Sequence, residues 1–162
     1  MILGIERVTD VREVEAGRFY LRLNYNEDPS LFQCIRVGND DDDIRALWFN
    51  PGTDSPLGIE DLPDHGPVVA LPDVHIRVDA PSMVGSNRTT STRPGMFLVS
   101  NDEAFVVAPN GFRGWSVINI STGLPVANRW SPDWIAFSRW LLVIVDNGEE
   151  IPIASFGEEN AG

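Results

Sequence analysis

The dipeptide Asn147-Gly148 stands between two apolar runs, Trp140–Val145 and Ile151–Phe156. A two-residue type I′ turn needs φ > 0 at both central residues, and Asn followed by Gly meets that need at low steric cost. Residues 139–156 therefore read as a β-hairpin. Its first strand is six apolar residues without interruption, the pattern of a strand covered on both faces. Left at a sheet edge, such a strand invites aggregation. Trp140–Val145 is thus expected at the centre of its sheet or beneath a partner subunit.

The same punctuation runs through the whole chain, with turn signals about every 8–12 residues. Ile2–Val8 and Val11–Ala16 read as short strands. Phe19–Tyr25 alternates, with Phe19, Leu21, Leu23 and Tyr25 on one side and Tyr20, Arg22 and Asn24 on the other, which is the period of a half-buried strand. Leu31–Val37 and Ile44–Asn50 follow as strands. Pro51–Pro67 holds four prolines and three glycines and reads as a long ordered loop. Val68–Leu71 and Val74–Val78 are strands broken by Pro72-Asp73. Ala80–Pro94, rich in Ser, Thr, Asn, Gly and Pro, reads as a mobile loop. Two hairpins come next: Gly95–Ser100 with Glu103–Ala108 across Asn101-Asp102, and Gly114–Ile120 with Leu124–Ala127 across Ser121-Thr122-Gly123. Ser131 as N-cap with Pro132 at the first helical position predicts one or two helical turns before Ser138. The polar tail 157–162 is expected to fray. The fold expected is all-β: a single domain over 1–162, a mostly antiparallel sandwich or barrel with one short helical turn near residues 131–138.

Composition narrows the chemistry. The chain carries 24 acidic residues against 12 arginines and no lysine, for a net charge of −12. Schiff-base chemistry, a lysine base and a P-loop lysine are therefore excluded. The net charge opposes direct binding to nucleic acid or to an anionic membrane, since neither is met by a basic patch. The acidity is uneven: residues 27–64 hold ten acids against Arg36 and Arg45. A single cysteine, Cys34, rules out an internal disulfide and fits a reducing compartment. No basic segment followed by an apolar one opens the chain, and no apolar run approaches the roughly 20 residues that span a bilayer. The expected location is the cytoplasm or a larger particle assembled there.

Four constellations are candidates for function. Asp40, Asp41, Asp42 and Asp43 form a run that suits a hard cation or a basic partner, and equally suits a solvated acidic loop; Ile44 stands where an EF-hand would need glycine. His75, Arg77 and Asp79 share one face of the strand Val74–Val78 by period 2. That face could hold an acidic ligand or move a proton, or be a solvent-facing row of ion pairs. His65 is the other histidine, in the loop Asp64-His65-Gly66, and the two are too few for a histidine- or cysteine-rich zinc site. Cys34, inside a strand pattern, reads as a small buried hydrophobe. Trp115, Trp130, Trp134 and Trp140 crowd one region with Phe112 and Phe137. Trp115 and Trp140 are expected in the core, and Trp130 and Trp134 at a partner-binding surface.

With few catalytic residue types and no cofactor motif, no cofactor is expected. The leading expectation is a non-enzymatic interaction or assembly protein, binding a protein partner or forming a homo-oligomer through the acidic region and the aromatic-rich surface. Two alternatives are an acidic inhibitor that imitates nucleic-acid charge and a small hydrolase or isomerase using His75, Arg77 and Asp79.

Overall fold

The computed structural model describes residues 7–22, 30–36, 44–50, 56–62, 66–86, 94–109, 114–126 and 134–157. These residues form three open antiparallel sheets. The first holds β1 (Arg7–Asp10), β2 (Phe19–Arg22), β3 (Ser30–Arg36), β4 (Ile44–Phe49), β5 (Leu57–Asp61) and β6 (Pro67–Ala70), in the order β1-β6-β2-β3-β4-β5. The second holds β8 (Met83–Ser86), β9 (Phe97–Ser100), β10 (Glu103–Pro109), β11 (Trp115–Asn119) and β12 (Ile135–Phe137), in the order β11-β10-β9-β12-β8. The third is β14-β13-β7, built from β7 (Val74–Val78), β13 (Trp140–Asp146) and β14 (Glu149–Phe156). None of the three closes into a barrel among the described residues, so the architecture is sandwich-like. The main core draws on all three sheets: Phe19, Leu47 and Leu57 from the first, Phe97, Val106 and Ile118 from the second, Trp140, Leu142 and Phe156 from the third. Burial of these side chains is the dominant favourable contribution to folding.

The β13–β14 hairpin turns at Asn147 and Gly148, with φ of +50° and +83°, as the dipeptide predicts. β13 is central, between β14 and β7. Trp140, Leu142, Val143 and Ile144 are buried, while Val145, near the turn, is 44% exposed; cover on both faces therefore ends before the strand does. The ladder carries a bulge at Leu142/Val143, opposite Pro152. A proline lacks a ladder N–H and is tolerated on an edge strand at such an irregularity.

Four expectations are corrected. Ile135–Phe137 is strand β12, paired with β8 and β9, and not a helical turn. Ala136 and Trp134 are buried, and the alternating burial of a strand wins over the local capping signal; residues 131–133 lie outside those described. Val11–Glu13 is a 3₁₀ turn, with the Asp10 carboxylate accepting from the Arg12 N–H. Leu57–Asp61, inside the expected loop, is strand β5, with Gly58 directly opposite Trp48. A Cβ at Gly58 would fall 2.2 Å from the Trp48 ring, so the glycine leaves room for the indole to lie across the strand. Finally, the expected loop 80–94 contains a 3₁₀ turn at Ala80–Ser82 and then β8, while 87–93 lie outside the described residues.

Ser82 accounts for that path. Its buried hydroxyl lies 2.7 Å from the Asp79 carbonyl and 3.1 Å from that of Arg139, and accepts from the Arg139 N–H at 3.0 Å. The chain from β7 to β8 thereby stays clipped to the chain from β12 to β13 as both pass from one sheet to another.

Candidate functional site

Among the described residues a recess of about 380 Å³ is lined by Glu15–Phe19, by Leu71–Ile76, and by Ile120 and Ser121. It lies where the chain leaves the first sheet at Leu71, whose N–H donates to the Phe19 carbonyl at 2.9 Å, and crosses at Pro72-Asp73 into β7. A smaller recess lined by Arg18, Pro72, Asp73, His75 and Val145 adjoins it. The larger one touches both Val74 and Ile76, which pack toward the core, and His75, which is exposed. A cavity that meets side chains from both faces of a strand runs along that strand's edge.

The ladder shows which edge. Asp79 N–H donates to the Arg139 carbonyl at 3.1 Å, and the same register pairs Arg77 with Leu141 and His75 with Val143. Antiparallel pairs alternate between bonded and non-bonded. The backbone groups of His75 and Arg77 are thus directed at β13, and those of Val74, Ile76 and Val78 point away from it. Arg77 Nη1 lies 3.4 Å from the Ile76 carbonyl, which agrees. Among the described residues β7 ends its sheet, so the outward backbone groups of Val74 and Ile76 lie at the groove without a partner strand, the Ile76 carbonyl meeting only the Arg77 guanidinium.

The far wall is built rigidly. Gly17, at φ +89°, donates its N–H to the Cys34 carbonyl at 2.7 Å. A Cβ at Gly123 would come within 2.6 Å of the Gly17 nitrogen and 2.7 Å of the Cys34 oxygen, so this approach requires glycine. Behind the wall, Gln33 is wholly buried, and its amide donates to the carbonyls of Gly17 and Ile120. Its own oxygen has no partner among the described residues. Gln33 thus ties the two sides of the wall together across the first and second sheets.

The rim is charged. Arg18 and Asp73 approach to 3.5 Å, with the Asp73 side chain 88% exposed. Glu15 is exposed and has no ion pair or side-chain hydrogen bond among the described residues.

The expected His75/Arg77/Asp79 face does not act as one unit. Arg77 is paired with Glu150 across the sheet, a contact that raises the guanidinium and holds the Glu150 carboxyl below its usual range, both chiefly through the hydrogen bond. Asp79 is held 2.7 Å from Arg139. His75 alone faces the groove. Ser121 shares that groove, but among the described residues His75 makes no hydrogen bond to a serine or a carboxylate. The nucleophile–base–orienter contacts of a triad are therefore not formed among the described residues. The chain matches no family model, no curated protein and no solved structure.

Two tryptophans exchange the places expected of them. Trp134 is 4% exposed and stacks on Phe105 at 5.5 Å, so it is core and offers no partner surface. Trp115 is 51% exposed, at the start of β11, whose far end at Ile118 and Asn119 is buried. Trp140 is core as expected. Cys34 is fully buried, its thiol 3.3 Å from the Val14 carbonyl, and burial pushes its pKa up to about 11 despite Arg36 nearby. It is a packed thiol without thiolate character at neutral pH. Trp130, His65 and Asp40–Asp43 lie outside the described residues. Among the described residues no cluster of His, Cys, Asp and Glu could hold a metal ion, and no helix is long and apolar enough to cross a membrane.

Glu15, Arg18, Asp73 and Gln33 escape a reading of the chain alone. Only Gln33 leaves a trace there: a polar residue on the same strand face as Leu31 and Ile35 must find a partner when buried. The break at Pro72-Asp73 marks the crossover but says nothing of the wall opposite.

Proposed function

We propose that this protein is a non-enzymatic interaction protein, and that it binds an extended segment of a protein partner along β7. The observation that carries this reading is the groove beside the outward edge of β7. Strand addition gains its affinity from main-chain hydrogen bonds to such an edge and its selectivity from the side chains beside it. The groove's volume falls within the range of ligand sites, and its floor of Phe19, Leu71, Ile76 and Ile120 suits alternate apolar side chains of an added strand.

The test is a displayed random-peptide library panned against the full chain, with binders mapped by amide chemical shifts. Perturbations should centre on Val74–Val78 and Gly17–Phe19. Val74→Pro removes one outward N–H at the first position of the strand, where proline is tolerated, and should abolish binding while the melting transition persists. Binders that map elsewhere, or that ignore Val74→Pro, would overturn the proposal.

A further inference from the structure

We infer that the segment taken by the groove is basic: an extended strand whose apolar side chains alternate with arginine or lysine facing Glu15 and Asp73. The inference rests on the binding reading above and gives it a partner chemistry. The rim presents two carboxylates. Among the described residues Glu15 has no counter-ion, and the exposed Asp73 has Arg18 alone, at 3.5 Å. The two arginines nearest along the third sheet are already matched, Arg77 by Glu150 and Arg139 by Asp79. The chain as a whole carries −12, so the long-range field also favours a cationic partner and speeds its encounter. An added strand would place successive side chains on opposite faces. One set meets the floor of Phe19, Leu71 and Ile76; the other lies beside the charged rim. A second copy of this chain fits less well, since pairing β7 with itself about Ile76 sets Asp73 against Asp79, like with like.

The probes are three capped seven-residue peptides: alternating valine and arginine, alternating valine and glutamate, and the arginine peptide with its central valine replaced by proline. Fluorescence anisotropy gives their affinities for the full chain, and amide shifts give their location. The arginine peptide should bind at least tenfold more tightly than either of the others and perturb Val74–Val78. Glu15→Arg, at an exposed position, should weaken it by about tenfold, since each exposed ion pair contributes a few-fold and the reversal adds repulsion. Equal or tighter binding of the glutamate peptide at β7 would overturn the basic partner and leave the groove reading standing. Arginine and proline peptides that bind alike would show attraction without strand pairing and would overturn both. So would the failure of all three peptides, or a concentration-dependent dimer whose shifts centre on β7.

Discussion

Replacing Trp140 by Phe tests whether β13 is the structural spine. The indole is buried at 1% exposure, stacks on Phe156 with centroids 4.0 Å apart and lies 5.4 Å from Phe97. Its Nε1–H donates to the Gly95 carbonyl at 2.9 Å. The phenyl ring keeps the stack but is smaller by about 40 Å³, and at about 24 cal/mol per Å³ the residual cavity costs about 1 kcal/mol. The lost hydrogen bond, with a carbonyl left unmatched, costs about 1–2 kcal/mol more. The sum is about 2–3 kcal/mol, or a melting point about 5–10 °C lower for a chain of this size. Urea unfolding at constant m measures it directly. Trp115→Phe is the control, because an exposed ring with no hydrogen bond should change stability by no more than about 0.5 kcal/mol. If the two substitutions cost the same, the indole's buried contacts are not what stabilises this region.

Three further outcomes are expected. Gln33→Met keeps the volume but strands the Gly17 and Ile120 carbonyls, which outweighs relief of the unpartnered amide oxygen; it should cost about 2–3 kcal/mol in urea unfolding and weaken peptide binding, and a stability loss without any loss of binding would show that the wall does not shape the groove. Gly58→Ala drives a Cβ to 2.2 Å from the Trp48 ring, so the indole must swing out, at about 1–3 kcal/mol; a changed Trp48 environment by NMR checks it, and an unmoved ring would refute it. For Cys34, the folded pKa is raised from 9.0 to about 11 by burial, so its contribution is fully present below pH 9 and is lost as pH rises toward 11; the wild type should lose more stability over that window than Cys34→Ala, and parallel profiles would refute the assignment.

The local chemistry of the chain determined much of this protein. The Asn147-Gly148 turn and the hairpin across Asn101-Asp102 are set by residues within a few positions of one another, so turn stereochemistry suffices to read them; the half-buried alternation expected from Phe19 onward is not found, since Phe19 and Tyr20 are both buried and each joins a separate core cluster. The all-β class follows, because no segment carries a helical period strong enough to compete. Where a local signal opposed a distant one, the distant one prevailed. Ser131-Pro132 favours a helix start, yet Ile135–Phe137 is drawn between β8 and β9, because two ladders and the burial of Ala136 outweigh a capping preference. Trp115 and Trp134 are chemically alike, and which of them is covered depends on tertiary packing: Trp134 stacks on Phe105, whereas Trp115 stands at the exposed start of β11. The groove belongs wholly to the tertiary structure. Glu15, Gln33, Asp73 and Ile120 are far apart in the chain and meet only because Pro72-Asp73 carries the chain between sheets while Gly17 and Gly123 let two turns touch. The apolar hairpin therefore supplied the spine, and it was the order of strands around it that, among the described residues, left one edge of β7 without a neighbour.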